Sequence, residues 1–474
     1  MLLAILPEIG LVVLAALILV LDLVWLGGAR RNLGWVTAAG LLVILVVSLA
    51  FARPGEEPQL IFGGMLRLDG TAFVFRLVFL MGAGLTALFM MDHKPEGQHG
   101  EFYGLMLVAT LGMNLMASSA NLIMLYLAIE TTSLPLYVMA GAMVRDPRST
   151  EAGIKYFLFG AMTAAIMLYG FSLLYGFTGT TNLYAMASRL MTGEIQVLAA
   201  VFLVMVGFGF KISAVPLHFW APDVYEGAPT PVAGFLSTAS KAAGFAVLMR
   251  VMLAAFPDFS LGWTTLIAIL AAASMIVGNV VAIVQKNIKR LLAYSSIAQA
   301  GYIMLGIAAA NDLGMAGSTF YLISYLVTNL AAFGIVALVG RTVGSDEISA
   351  YAGLHRRNPG LAMALLIALL SLGGIPPLSG FVGKLLVFGA AVQADMVWLA
   401  FVGVLTSVVA LYYYLNVIKI VYVGQPDVNS KPLPITVPWR VALVICMVGI
   451  LFLGTVFGPW YTLSSLGSAG LFIR

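Results

Sequence analysis

The stretch GFKISAVPLHFWAPDVYEGAPTPVAGF, residues 209–235, places a lysine and four prolines inside an otherwise apolar run. Proline lacks a backbone donor and clashes with the preceding turn, so a helix cannot continue through it undisturbed. At membrane depth such a break is tolerated only where the freed backbone groups meet protein or water. The stretch therefore predicts a broken membrane helix, interrupted at Pro216, with polar groups in the interior of a helical bundle.

A second break of the same kind lies at GGIPPLSG, residues 373–380, where Pro376 and Pro377 follow two glycines. It falls within the apolar run 360–392, which is too long for one span, so we interpret this run as one interrupted helix. Transporters use broken helices at the centre of inverted repeats.

The composition requires lipid as the solvent for most of the chain. Hydrophobic residues make up 61% of the 474 residues and charged residues 9%, whereas a soluble domain has about 25% charged residues. A membrane span needs about 20 mostly apolar residues. Fourteen runs qualify, at 4–26, 33–52, 70–91, 101–119, 122–144, 152–178, 197–215, 229–256, 263–285, 288–310, 317–341, 360–392, 397–423 and 438–459. We expect an all-α polytopic membrane protein with about fourteen transmembrane helices.

The loop charges predict the orientation. Loops rich in Lys and Arg alternate with loops poor in them, and the rich set is GGARRN, DHKPEGQHGE, RDPRST, QKNIKR, RTVGSDEISAYAGLHRRN and GQPDVNSKPLP. By the positive-inside rule this set is cytoplasmic. The first apolar run lacks the basic n-region of a signal peptide and is predicted to be retained. We expect a multi-pass membrane protein with both termini on the side opposite the cytoplasm.

Several classes of chemistry are excluded by what the chain lacks. Cys446 is the only cysteine, so disulfides and cysteine-held iron–sulfur clusters cannot form within the chain. No G-x-G-x-x-G or Walker loop is present, and the net charge of +4 comes with no basic nucleic-acid patch. The histidines form no spaced ligand set; they are His93, His99, His218 and His355. We expect no cofactor, no metal and no nucleic acid to bind this chain.

Four charged residues lie deep inside predicted spans: Glu130, Lys211, Lys241 and Lys384. Each costs about 2.5–3.5 kcal/mol at a helix centre, so such residues face a bundle interior and are functional by default. Glu130 and Lys211 could instead form a static ion pair that pins two helices. Lys241 and Lys384 have no obvious second carboxylate, and a lysine without a partner can pick up and release a proton near neutral pH. We predict a proton relay through these four residues.

Weaker candidates accompany them. A secondary polar path is predicted along His218, Tyr294, Ser295 and Gln299, and Ser296 and Tyr302 belong to the same polar stretch, LLAYSSIAQAGYIM. The alternative is interhelical hydrogen bonding, or helix capping for His218. Asp22 and Arg76 are either functional charges or packing and snorkelling charges.

The two breaks predict an internal repeat. They fall in the seventh and twelfth spans, and an offset of five spans gives two consecutive units opposite topology. We therefore expect inverted five-helix repeats at 100–256 (spans four to eight) and 263–423 (spans nine to thirteen). A three-helix segment at 1–99 precedes them, and a C-terminal helix lies within 424–474.

The motifs also carry a family resemblance. LYLAIETTSLPLYVMAG (125–141), the stretch 209–245, KNIKRLLAYSSIAQAGYIMLG (286–306) and GGIPPLSGFVGKLLVF (373–388) resemble the antiporter-like subunits of respiratory complex I, over about 100–423. The resemblance implies that Glu130 modulates the proton affinity of Lys211, which gates and stores a proton. It implies that Lys241 connects two half-channels and that Lys384 lies at the exit side.

The same resemblance implies partners. Other membrane subunits of the complex would adjoin this chain, and FMN, iron–sulfur clusters and quinone would be held by partner subunits. Three alternatives remain open: a subunit of a cation/proton antiporter, a membrane subunit of a related hydrogenase complex, and a passive scaffold for redox subunits.

Overall fold

The computed structural model describes residues 2–55, 57–93, 96–190, 195–257, 260–425 and 433–471. The chain is 82% helical, which confirms the all-α membrane fold. The helices are α1 Leu6–Val24, α2 Leu33–Phe51, α3 Gly70–Met90, α4 Gly100–Ser118, α5 Leu122–Ala140, α6 Pro147–Thr178, α7 Leu183–Met186, α8 Ile195–Ile212, α9 Trp220–Gly227, α10 Thr230–Phe235, α11 Lys241–Ala255, α12 Ser260–Ile283, α13 Ile288–Ala308, α14 Asp312–Val343, α15 Leu354–Arg357, α16 Pro359–Gly373, α17 Ser379–Gln393, α18 Val397–Val423, α19 Val437–Thr455 and α20 Phe457–Ala469.

The predicted spans coincide with helices. Within the described ranges, twelve helices are long and apolar enough to cross a membrane, counting 230–255 as one. The helix α4 is not among the twelve, and α16 and α17 have 15 residues each. The count of fourteen spans therefore stays a prediction, and part of the loop at 424–434 lies outside the described residues.

Two features were not expected from the sequence. A short hairpin pairs β1 Gln59–Ile61 with β2 Leu66–Leu68 in antiparallel register, with Ile61 opposite Leu66. The helix α20 follows α19 and packs against α3 and α14. Both lie where the hydropathy pattern changes from a span to a connection, so a search for apolar runs passes over them.

Burial divides the helices into an inner and an outer set. The segment 230–255 is wholly buried, as is α14 between Gly314 and Val339, and nearly all of α13 is buried. About a third of each of α1, α2, α6 and α18 is buried, so large apolar side chains on these helices face outward, as they do toward lipid. The buried polar residues of this inner set include Lys241, Ser296 and Gln299.

Both breaks are present. The helix α8 ends at Ile212 and α9 begins at Trp220, and α16 ends at Gly373 before α17 begins at Ser379. Each break opens with a left-handed residue, Ser213 at φ 58° and Gly374 at φ 86°. The eighth span is not a uniform α-helix: α10 passes into the π-helical segment Leu236–Ser240, and α11 begins at Lys241.

Candidate functional site

Lys211 lies in the last turn of α8, next to the first break, and its side chain is 7% exposed. Its Nζ donates a hydrogen bond to Ser133 Oγ on α5. The Ser133 hydroxyl in turn donates to the Ile129 carbonyl oxygen of its own helix. A hydroxyl whose proton is used elsewhere presents its lone pairs to the ammonium group, so Ser133 orients Lys211 toward α5.

Glu130 lies one turn before Ser133 on the same face of α5. Within the described part of the chain it forms no ion pair with Lys211, and its Oε1 is buried without a hydrogen-bond partner. The two charges still interact through space. The neighbouring Leu127 and Leu134 side chains are exposed, so Glu130 lies near the edge of the bundle. The structure does not hold this pair as a closed salt bridge.

Lys241 starts α11 and is 1% exposed. Its Nζ donates two hydrogen bonds to Ser296 on α13, one to the carbonyl oxygen at 3.0 Å and one to Oγ at 2.5 Å. Gly244, three residues further on, allows α11 to approach α8, because a Cβ there would lie 3.1 Å from the Lys211 Cβ. The helices that carry Lys211 and Lys241 are therefore in close contact at this depth.

Three buried hydroxyls near these lysines form no hydrogen bond of good geometry within the described residues: Ser213 Oγ, Tyr225 OH and Tyr325 OH. Both tyrosines lie beside Ser296, which accepts from Lys241. Buried polar groups are rarely left unpaired, and an internal water that makes two to four hydrogen bonds is their usual partner. These hydroxyls are suitable hydrogen-bond partners for water molecules between the first break and Lys241.

Lys384 lies on α17, after the second break, and is 4% exposed. Its Nζ donates to the Gly373 carbonyl oxygen at 3.0 Å and to Ser407 Oγ on α18 at 2.6 Å. The ammonium group also lies 4.7 Å from the centre of the Tyr302 ring, within cation–π range. The break thus frees a backbone carbonyl that accepts a hydrogen bond from the lysine.

The polar stretch of α13 joins the two regions. Gln299 Nε2 donates to the Leu372 carbonyl oxygen at 3.1 Å, and Gln299 Oε1 accepts from Tyr321 OH at 2.5 Å. Ser295 Oγ bonds Tyr414 OH on α18. Tyr294 is half-buried and joins no hydrogen bond of the described residues, so the structure does not bring it into this network.

The remaining candidates lie elsewhere. His218 is in the first break, and its Nδ1 is buried and forms no hydrogen bond of good geometry within the described residues. Asp22 pairs with Arg30 at 3.4 Å near the end of α1, and Arg76 pairs with Glu8 at 2.8 Å between α3 and α1.

Sequence reasoning missed the serines that accept from the lysines, Ser133 and Ser407. The position of Ser133, three residues after Glu130, was a usable signal, since residues three apart share a helix face. No group of three or more His, Cys, Asp or Glu that could hold a metal occurs in the part of the chain that the structure describes.

Fold and site together define a class: a polytopic membrane protein with broken helices and buried, serine-bonded lysines on a polar track. Residues 119–410 match the family described as "NADH:quinone oxidoreductase/Mrp antiporter, TM". The chain belongs to this family.

Individual relatives agree with the assignment. The chain is 44% identical over 448 residues to NADH-quinone oxidoreductase subunit N of Heliobacterium modesticaldum, covering 94% of each protein. A chain of the structure titled "Respiratory complex I from Thermus thermophilus with bound Aureothin" is 37% identical, with a TM-score of 0.82 over 97% of this chain and 99% of that one. A chain of the Mrp complex from Dietzia sp. is 22% identical, with a TM-score of 0.86 over 100% of this chain and 98% of that one, and shows the fold alone.

Proposed function

We propose that this chain is a proton-translocating membrane subunit of a bacterial NADH–quinone oxidoreductase, of the subunit N type. The observation that carries the proposal is the arrangement of its three buried lysines. Each ammonium group is hydrogen-bonded to a serine of another helix, and Lys241 and Lys384 contact no carboxylate within the described residues. Two sequence features favour the subunit N type. One is Lys384 on the second broken helix, and the other is the sequence APDVYEGAPTPVAGFLSTASKAAGF.

The proton would pass in steps. Glu130 stabilises the charged form of Lys211, and its withdrawal releases the proton toward Lys241. Water beside the unpaired hydroxyls then carries the proton past Gln299 to the second break. From there the proton reaches Lys384 and leaves the protein. Moving one charge against 100 mV costs about 2.3 kcal/mol. Two charges brought to 4 Å interact by about 4 kcal/mol at an effective dielectric of 20, so switching of one Glu–Lys pair supplies energy of the required order.

The redox chemistry belongs to partner subunits in this proposal. This chain acts as a non-redox part of the translocase, while FMN, iron–sulfur clusters and quinone are held by neighbours. Its single, buried cysteine and the absence of a metal-binding group among the described residues support that division. Quinone reduction would drive the relay by moving charges or helices next to Glu130, whose exposed helix face would adjoin a neighbouring membrane subunit.

We also propose the internal organisation and the orientation. The units 100–256 and 263–423 form the inverted repeats, between the segment 1–99 and the helix within 424–474. The matched breaks, each opening with a left-handed residue, support this. Basic residues from four separate segments of the chain line one cavity at one end of the bundle: Arg31, His93, Lys289 and Arg341. That end is proposed to face the cytoplasm of a bacterial inner membrane, with both termini periplasmic.

Proton pumping by the intact complex tests the proposal. Lys241→Met keeps most of the length of the side chain and removes the amine that carries the proton, so pumping in inside-out vesicles should be lost while the complex stays assembled on a native gel. Lys419→Met, at an exposed position of α18, is the matched control and should pump normally. Unchanged pumping by Lys241→Met would favour a scaffold. Sodium uptake without NADH would instead favour the antiporter alternative, and a hydrogenase complex would show hydrogen-dependent pumping.

A further inference from the structure

A stripe of polar side chains runs along α14. Its members recur at helical spacing on one face: Tyr321, Ser324, Tyr325, Thr328 and Asn329. On a surface helix such a stripe would be the solvated face. Here the helix is buried from Gly314 to Val339, a range that includes the whole stripe, so these groups must find partners inside the bundle.

The stripe connects two functional regions of the fold. At one end, Asn329 Nδ2 donates to Ser237 Oγ of the π-helical segment at 2.7 Å. Further along, Ser324 Oγ donates to Ser379 Oγ at 2.7 Å, at the second break. Thr328 Oγ1 lies 3.3 Å from the Ser371 hydroxyl on the other side of that break. The stripe therefore reaches the turn whose Gly373 carbonyl accepts from Lys384.

Two groups of the stripe have free hydrogen-bonding capacity. Asn329 Oδ1 and Tyr325 OH are both buried and form no hydrogen bond of good geometry within the described residues, although Tyr325 lies beside Ser296. The two residues are four apart on the helix, so their side chains are neighbours. Ordered water is the usual partner of such groups, which gives the stripe the means to hold a chain of water.

A polar cavity of about 910 Å³ lies at one end of the same helix. Thr230 of α10 and Ala337 of α14 line it, with charged side chains that include Arg31, Asp92 and Asp346. It belongs to the end of the bundle that is rich in Lys and Arg.

One apolar layer separates this cavity from the stripe. Gly234 lies four residues after Thr230, and Phe333 lies four residues before Ala337, so the layer is about 6 Å from the cavity lining. The Asn329–Ser237 bond lies about one turn beyond it. A Cβ at Gly234 would be 3.1 Å from the Phe333 Cβ, which shows that α10 and α14 touch here. The Phe333 ring packs edge-on against Tyr225.

We propose that the cavity and the α14 stripe form a second proton inlet, closed in this conformation by the layer of Gly234 and Phe333. The inlet rests on the proposed function, because it delivers protons to Lys384 without passing Lys211 or Lys241. One proton enters from the cavity, each water or hydroxyl oxygen accepts one proton and releases one, and one proton leaves at Lys384. No oxidant or reductant is consumed.

A passive leak tests the inlet without NADH. The complex carrying Phe333→Ala is reconstituted into vesicles, a pH gradient is imposed, and its decay is followed with a fluorescent dye. The half-time of decay should fall severalfold relative to Phe320→Ala, a buried phenylalanine of the same helix outside the stripe. Adding Asn329→Leu to Phe333→Ala should restore the slow decay, because the amide that holds the water is removed.

Two results would overturn the inlet: decay no faster than in Phe320→Ala, or a fast decay that Asn329→Leu leaves unchanged. If the complex with Phe333→Ala fails to assemble, Phe333→Val opens a smaller gap, and its decay is compared with that of Phe320→Ala in the same way. The result is separable from the proposed relay. If Asn329→Leu abolishes the leak but Lys211→Ala leaves pumping unchanged, the inlet is supported and the relay is rejected. If Asn329→Leu leaves the leak unchanged but Lys211→Ala abolishes pumping, the relay is supported and the inlet is rejected.

Discussion

At the scale of single residues, the partners of the lysines matter as much as the lysines. Ser133→Ala removes the acceptor of Lys211, and a hydrogen bond to a charged group contributes about 1.5–3 kcal/mol. We expect pumping by the vesicle assay to slow by about tenfold or more, and Ser133→Thr to restore it because the hydroxyl is kept. Ser48→Ala is the control, since that buried hydroxyl bonds only its own helix. Equal rates for Ser133→Ala and Ser48→Ala would contradict the role of Ser133.

His93 gives a second prediction at this scale, outside the membrane spans. Burial, reinforced by the positive charges of Lys289 and Arg341, lowers the pKa of His93 from 6.5 to about 4. The unfolded chain then takes up a proton at a higher pH than the folded chain does, so the free energy of unfolding falls as pH drops from about 6.5 toward 4. His93→Gln should lose less thermal stability over that range, followed by unfolding in detergent. The exposed His99→Gln should behave as wild type, and identical pH curves for all three proteins would refute the prediction.

The four charges inside the predicted spans could be found from the sequence, because a charge within an apolar run stands out by its cost. Their partners could not. A serine in a span is compatible with a hydrogen bond to its own helix, as at Ser48, or to another helix, as at Ser296. Only the packing of α11 against α13 decides which one forms.

At the scale of the elements, the second break serves to shape the surroundings of Lys384. Gly374 has φ 86°, and a Cβ there would lie 2.8 Å from the Lys384 Cδ. Gly374→Ala should therefore lower both stability and pumping, the backbone alone costing about 1–3 kcal/mol. Gly344→Ala is the matched control, with φ 76° and no atom within 4 Å. It should lose similar stability and keep pumping, as measured by thermal unfolding and the vesicle assay. Equal pumping by Gly374→Ala and Gly344→Ala would show that the second break does not affect proton transfer at Lys384.

The breaks were predictable because proline and glycine act locally. The π-helical segment before Lys241 and the polar stripe of α14 were not. Hydropathy averages a span, so five polar residues at positions 321–329 are diluted by their apolar neighbours. Their function depends on which helices surround α14, and that is a property of tertiary packing.

At the scale of the whole molecule, a buried ion pair ties the N-terminal segment to the core. Asp69, which also caps α3, accepts two hydrogen bonds from Arg250 of α11 at 2.7 and 2.8 Å. Breaking a buried pair by removing one partner costs about 3–5 kcal/mol. We expect Arg250→Met to lower the thermal unfolding temperature markedly and to weaken assembly on a native gel. Arg356→Met, at an exposed position, should change neither, and an unaltered melting curve for Arg250→Met would contradict the role of the pair.

The general architecture of this molecule followed from composition and the length of its apolar runs, whereas the inner and outer arrangement of its helices did not. Apolar residues are required both toward lipid and in the bundle core, so α6 and α14 look alike in hydropathy although one is largely outside and most of the other is buried.

The most direct test of the relay is the number of protons pumped per NADH oxidised by the assembled complex carrying Lys211→Ala. Inside-out vesicles report pumping and oxidation together, a native gel reports assembly, and Lys419→Ala serves as the exposed control. The relay predicts that Lys211→Ala loses pumping and slows coupled oxidation while the complex stays intact. An unchanged ratio of protons to NADH would make Lys211 a structural charge and would contradict the relay.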